Sequence, residues 1–256
     1  MRDTLNENII EKYCDSIWIE KGLSKNTITA YELDLKQIQL WLKNQGRNLL
    51  ECTDSDLNSY LAEKFDNNIS ASSINRSLSS IKGFFNWLVF SGLIKQSPAE
   101  LIESPKIGRK LPVNLSEDEI NQLLDAPDCK TSQGKRDKTI LELLYATGLR
   151  ISELTNLELS QIDLNRGIIK ILGKGGKERI VPIGQTALDW IKDYLNNVRK
   201  DIVDNDNNLY LFLTNKGKKI SRKSCWSFIT SYSKVALKNK NISPHSLRHA
   251  FATHLL

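Results

Sequence analysis

Several features that would mark common classes of protein are missing from this chain of 256 residues. No apolar run approaches the ~20 residues that a membrane-spanning helix requires. The first residues, Met1 to Glu7, contain no apolar signal core, so a cytoplasmic protein with no membrane partner is expected. The four cysteines, Cys14, Cys52, Cys129 and Cys225, lie far apart and form no C-x-x-C pair, which argues for reduced thiols rather than a disulfide framework. A nucleotide-binding P-loop is also missing. Gly176-Lys177 is followed by Glu178 instead of Ser or Thr, and the flanking segments read as strands. Histidine is confined to His245, His249 and His254. The zinc pattern H-E-x-x-H fails because Ser246 follows His245, and Arg248 adds a permanent cation on the same helical face. No metal is expected.

What is present is a soluble composition, 40% hydrophobic and 26% charged, with a net charge of +6 that is unevenly placed. Residues 1–103 carry 11 Lys and Arg against 14 Asp and Glu, a net of −3; residues 104–256 carry 25 against 16, a net of +9. A basic second half points to a polyanionic partner, with nucleic acid the usual one. The length is enough for two cores.

The first hundred residues read as four short amphipathic helices. Leu5, Ile9, Tyr13 and Ile17 recur at helical spacing up to Gly22. Ile28, Tyr31, Leu35, Ile38 and Leu42 follow a start at Ser24. Leu57, Tyr60, Leu61 and Phe65 follow Thr53 and Asp56, and Ile74, Leu78, Ile81, Phe85 and Leu88 run from Ser70 to Gly92. Short connections make this a compact bundle whose aromatics are core. Residues 104–112, with Pro105, Gly108, Pro112 and three basic side chains, read as a domain linker. The second domain, 113–256, opens with a capped helix at Ser116. Two strands follow, Ile168–Leu172 and Arg179–Ile183, joined by a hairpin over 173–178, and then helices around 187–198 and 224–237. The fold class expected is mainly α with a small β-sheet: an N-terminal four-helix domain and a C-terminal mixed α/β domain.

Ser243 reads as an N-cap and Pro244 as the first residue of a last helix, on which His245, Arg248 and His249 share one face at i, i+3, i+4. His254, nine positions beyond His245, points elsewhere. That face suits an anion: the Arg248 fork can hold two phosphate oxygens, and His245 near the helix N-terminus adds a donor and the positive end of the dipole. Gly148 breaks an earlier helix, so Arg150 starts the next, with Glu153 one turn on. Lys174 and Lys177 lie at the tip of the hairpin.

Three blocks, Ala146-Thr147-Gly148-Leu149-Arg150-Ile151-Ser152-Glu153-Leu154, Gly173-Lys174-Gly175-Gly176-Lys177-Glu178-Arg179 and Pro244 to Leu256, resemble in order and separation the signature of the tyrosine recombinases. Leu23 to Leu35 resembles the core-binding domain of the same family, so the likeness covers essentially the whole chain, and it is nearest to the Xer recombinases that resolve bacterial chromosome dimers at cell division. The resemblance implies a transesterification of DNA with no metal, cofactor or ATP, through a 3′-phosphotyrosyl link. By motif, Arg150 and Arg248 would hold the non-bridging oxygens in the transition state, and Lys174 would protonate the leaving 5′-oxygen. His245 would hydrogen-bond the phosphate and assist proton transfer from the nucleophile, while Glu153 supports the site. The implied partners are a duplex recombination site and a paralogous, XerC-like subunit in a heterotetrameric synapse. In the first domain Lys25, Thr27 and Arg76 are candidate DNA contacts. The family pattern continues past Arg248 to a nucleophilic tyrosine, whereas all seven tyrosines here precede His245. The reading is of a recombinase cut short before its nucleophile, binding DNA without cleaving it; a phage or transposon integrase and a non-catalytic DNA-binding short form are the alternatives.

Overall fold

The computed structural model describes residues 2–105, 114–173, 178–202, 208–238, 240 and 242–254, with side chains from residue 8 onward. The chain forms two compact units, residues 1–110 and 111–256. Among the described residues no helix is long and apolar enough to cross a membrane.

Among the described residues four helices build the first unit: α1 (Arg2–Lys21), α2 (Lys25–Asn44), α3 (Asp54–Asp66) and α4 (Ala71–Phe90). Their starts follow from capping chemistry. Ser24 Oγ accepts from Thr27 N, and Ser70 Oγ accepts from Ser73 N, both at 3.3 Å. At α3 the pairing is reciprocal, Asp56 N to Thr53 Oγ1 at 3.2 Å and Thr53 N to Asp56 Oδ2 at 2.9 Å. Each such cap satisfies amide donors that the first turn leaves unpaired, worth about 1 kcal/mol. The core sits where the apolar stripes meet: Ile10, Tyr13 and Ile17 from α1, Leu35, Ile38 and Leu42 from α2, Leu57 and Tyr60 from α3, and Ile74, Leu78, Ile81, Phe85 and Leu88 from α4. Phe65, expected in this core, is instead exposed, one residue before the end of α3. Leu5 lies outside the described side chains. A single 3₁₀ turn, Leu49–Glu51, adds buried Leu49 under an Asn48 cap.

The second unit is organised around α6 (Ser132–Thr147). Ile140, Leu141, Leu143 and Leu144 are fully buried, and so are Asp137 and Thr139. A helix buried on all sides must neutralise its own charges, and the partners are present. Asp137 accepts from Arg136 at 2.8 Å and from Tyr232 at 3.2 Å, while Lys138 pairs with Asp125 and Glu142, each at 2.9 Å. Before it comes α5 (Glu117–Leu124), started by the Ser116/Glu119 capping box; after it, the short α7 (Ile151–Thr155).

Among the described residues the sheet has three antiparallel strands, not the two expected: β1 (Ile162–Asp163), β2 (Ile168–Leu172) and β3 (Glu178–Pro182), in the order β1-β2-β3. β1 pairs Ile162 with Ile169 and Asp163 with Ile168; two residues are too few to carry a periodic signal. β2 and β3 pair in the register Ile168 to Pro182, Lys170 to Ile180 and Leu172 to Glu178. Residues 174–177, where the sequence places the tip of the hairpin, fall outside the described residues, as does most of the expected linker. The helix expected over 187–198 is α8 (Gln185–Tyr194), which continues through a π-turn at Leu195–Arg199 into α9 (Lys200–Ile202). Then come α10 (Arg222–Ala236) and α11 (Pro244–His254).

Candidate functional site

α11 begins as its sequence dictates. Ser246 N donates to Ser243 Oγ and Ser243 N to Ser246 Oγ, both at 3.3 Å, and Pro244 takes the first helical position. Leu247 and Ala250 are buried against the core of the second unit. That fixes the helix's rotation and leaves His245 exposed, with Arg248 and His249 half-buried beside it. His254, half a turn out of phase, is tied into the structure: its Nδ1 lies 3.0 Å from Tyr145 Oη and its Nε2 lies 2.9 Å from the Leu115 carbonyl.

The turn after α6 is what α11 packs on. Gly148 caps α6 in the left-handed region at φ +57°, and its amide donates to the Leu144 carbonyl at 2.9 Å. The Phe251 ring lies over it so closely that a β-carbon at Gly148 would fall 2.3 Å from Phe251 Cδ1. Glycine is therefore required twice here, by conformation and by space. Arg248 Nη1 donates to the Gly148 carbonyl oxygen. Two residues on, Arg150 takes the N-cap position of α7.

At Arg150 a third group enters. Glu153 Oε2 accepts from the Arg150 backbone N–H at 2.8 Å, and Oε1 accepts from Arg150 Nη1 at 3.1 Å. The same carboxylate takes a bidentate fork from Arg179 on β3, Nη1 to Oε1 at 3.1 Å and Nη2 to Oε2 at 2.8 Å. Glu153 is 12% exposed at its side chain, whereas Arg150 is 60% exposed. Burial alone pushes the Glu153 carboxyl up, but the hydrogen bonds from Arg179 and from both ends of Arg150 outweigh it and hold the group below its ordinary value.

Of the second-unit residues singled out from sequence, Arg150 and Glu153 are in direct contact, and Arg248 is bonded to the same short loop. His245 is one turn from Arg248 on an open face. Lys174 falls outside the described residues. Arg179 belongs to the second of the three motif blocks, but the sequence assigns it no part. Among the described residues no three His, Cys, Asp or Glu side chains converge as a metal site would require. The arrangement offers two guanidinium groups and an imidazole beside a short loop and a helix start, a donor set for the oxygens of a phosphate.

In the first unit the three candidates have different surroundings. Lys25, the first residue of α2, is exposed. Thr27 Oγ1 shares a hydrogen bond with Ser24 Oγ at 2.8 Å as part of the cap. Arg76 Nη1 is bonded to Asp34 Oδ2 at 2.6 Å and to the Ala30 carbonyl at 3.3 Å.

Comparison with known proteins bears on both units. Residues 113–256 match the profile of the phage integrase family, and residues 10–92 match that of the phage integrase N-terminal SAM-like domain. The chain is 42% identical over 252 residues to the tyrosine recombinase XerD of Proteus mirabilis, covering 98% of this chain and 80% of that protein. It is 43% identical over 251 residues to the XerD of Staphylococcus haemolyticus, covering 98% and 85% respectively. Among solved structures, a lambda integrase tetramer bound to a Holliday junction matches with a TM-score of 0.71 at 19% identity, over 96% of this chain and 68% of that one. At that identity the likeness is one of fold.

Proposed function

The chain belongs to the phage integrase family and is a XerD-like tyrosine recombinase, and from that premise we propose how its residues divide the work of DNA strand exchange. Arg150 and Arg248 grip the two non-bridging oxygens of the scissile phosphate and stabilise the charge that accumulates on them in the pentacoordinate transition state. Lys174 delivers a proton to the departing 5′-oxygen, and His245 donates to the phosphate and handles the proton of the attacking hydroxyl. Glu153 holds Arg150. The observation that carries this reading is the bond from Arg248 to the Gly148 carbonyl, two residues ahead of Arg150, because it brings residues a hundred positions apart to one short loop. Transesterification exchanges one phosphodiester for another, so the residues need only bind, orient and move protons.

The biological setting we propose is the resolution of chromosome dimers at cell division, with a XerC-like paralogue as partner and four subunits at the synapse. Two relatives named XerD above 40% identity support the Xer-type role. These 256 residues hold no tyrosine beyond Tyr232. A polypeptide of this sequence is therefore expected to bind the site without forming a phosphotyrosyl bond.

One experiment tests both parts. Duplex affinity is measured across a salt series, and the same complexes are then run on a denaturing gel. The expected result is a steep fall in affinity with salt and no covalent band. Affinity indifferent to salt would remove the phosphate clamp, and a band that survives denaturant would show a nucleophile among these residues.

A further inference from the structure

The carboxylate of Glu153 is fully subscribed: Oε1 accepts from Arg179 Nη1 and Arg150 Nη1, each at 3.1 Å, and Oε2 from Arg179 Nη2 and the Arg150 amide, each at 2.8 Å. Two of these four bonds fix the backbone and side chain of a proposed phosphate ligand. The other two come from a residue to which neither the sequence motif nor the proposed chemistry assigns a part. Resting on the phosphate-clamp reading above, we propose that Arg179 is a positioning residue for the reaction, acting through Glu153 on Arg150.

Its effect has two components. One is electrostatic. If Glu153 faced Arg150 alone, one anion would cancel one cation, and the clamp would meet a phosphate with little charge to spare. With Arg179 on the opposite edge, two guanidinium cations share one carboxylate and the cluster keeps a net positive charge. The Arg150 side chain, which is largely in solvent, is the part of the cluster an incoming phosphate can reach. The other component is geometric. A planar fork holds both carboxylate oxygens in a fixed plane, so the direction in which Arg150 is held is set from β3. Arg179 lies on β3, so that strand is tied through Glu153 to the start of α7.

Sulfate, a tetrahedral anion with the oxygen geometry of phosphate, provides the probe. It is titrated at constant ionic strength into the full chain while the Nε–H resonance of Arg150, assigned by loss in Arg150→Lys, is followed by NMR. Arg179→Gln is expected to weaken sulfate binding at Arg150 by roughly fivefold or more. Arg179→Lys, which restores the charge without the fork, should recover part of that loss. Arg179→Gln combined with Glu153→Gln should recover the electrostatic part of the loss, because the carboxylate that neutralises Arg150 is then gone, but not the part that comes from holding Arg150 in place. A residue serving only the fold would leave the double variant as weak as the single or weaker. Thermal melts of each variant accompany the titrations, and Arg179→Lys supplies the comparison if Arg179→Gln does not fold. Wild-type affinity in Arg179→Gln, or no recovery in the double variant, overturns the role of Arg179. No response of Arg150 to sulfate in the parent chain would instead overturn the phosphate clamp itself.

Discussion

In the first unit Asp34, 2% exposed, accepts one bond from Arg76 at 2.6 Å and one from Ser80 at 3.4 Å. In the second unit Glu153 accepts four, from two arginines and a backbone amide. Both are acids held inside a helical framework beside an arginine that the sequence marks as a nucleic-acid contact, and their ionisation is biased in opposite directions. Burial raises the Asp34 carboxyl above its ordinary value despite Arg76, Lys64 and Ser80, which all pull it down. At Glu153 the balance tips the other way. One guanidinium does not repay the loss of water around a buried carboxylate, whereas two guanidinium groups and an N–H do. The arginines inherit the difference: Arg76 bonds an acid to which Lys64 adds only a weaker pull, while Arg150 shares its acid with the bidentate fork of Arg179.

The largest effect is expected at the loop where the second unit brings the proposed phosphate ligands Arg150 and Arg248 together. Gly148 and Gly92 both occupy the left-handed region, at φ +57° and +70°, but a β-carbon at Gly92 meets nothing within 4 Å whereas one at Gly148 strikes Phe251. Gly92→Ala should cost about 1 kcal/mol, the conformational penalty alone. Gly148→Ala should cost about 2–4 kcal/mol, because overpacking adds to that penalty, and it should also weaken sulfate binding at Arg150. Urea unfolding of the two variants checks this. Equal losses would mean that the Phe251 contact yields freely and does not define the loop.

The carboxylates themselves should give opposite pH signatures of intermediate size. An acid whose folded pKa is raised contributes stability that is present below its unfolded pKa and lost as pH rises through the folded value. An acid whose folded pKa is lowered contributes stability that is present above its unfolded pKa and lost as pH falls. Relative to the parent, Asp34→Asn should therefore gain stability as pH rises through and above the ordinary carboxylate range, near ~4, and Glu153→Gln should lose it. Urea midpoints of the three proteins at a series of pH values read this directly. Parallel pH dependence in the two variants would show that the count of donors does not decide the sign.

Most of the helical framework was legible in the sequence because its starts are written in short-range chemistry. Ser24, Thr53, Ser70 and Ser116 each cap their own helix, and the stripes between caps repeat at 3.6 residues. What escaped was set by long-range partners. The buried charges of α6 interrupt its apolar stripe, and part of what holds them is distant: Lys138 pairs with Asp125 as well as with Glu142 one turn on, and Arg136 donates to the Leu213 carbonyl at 3.3 Å, 77 positions away. The π-turn at Leu195–Arg199 interrupts a helix that reads as continuous, and β1 is too short to alternate. In the site, Arg150, Glu153 and Arg248 stood out by residue type and motif. Arg179 did not, since only the pairing of β3 with β2 and the docking of α7 bring it to Glu153.

The smallest effect separates the cations of the first unit. Lys25 stands exposed at the start of α2, while Arg76 gives one nitrogen to Asp34 with its side chain 48% exposed. A lysine that meets a phosphate contributes one released counterion, so Lys25→Gln should weaken duplex binding a few-fold whatever the sequence and lower the salt slope by about 0.9. Arg76→Gln should lower the slope less, because Asp34 already cancels much of its charge. Asp34→Asn with Arg76 intact should then raise the slope, by freeing a cation the parent keeps neutralised. Salt-titrated binding of the three variants to one duplex orders them. If Arg76→Gln lowers the slope as much as Lys25→Gln does, the Asp34 pair leaves the arginine free to act on DNA, and the contrast between Arg76 and Arg150 rests on position rather than on charge.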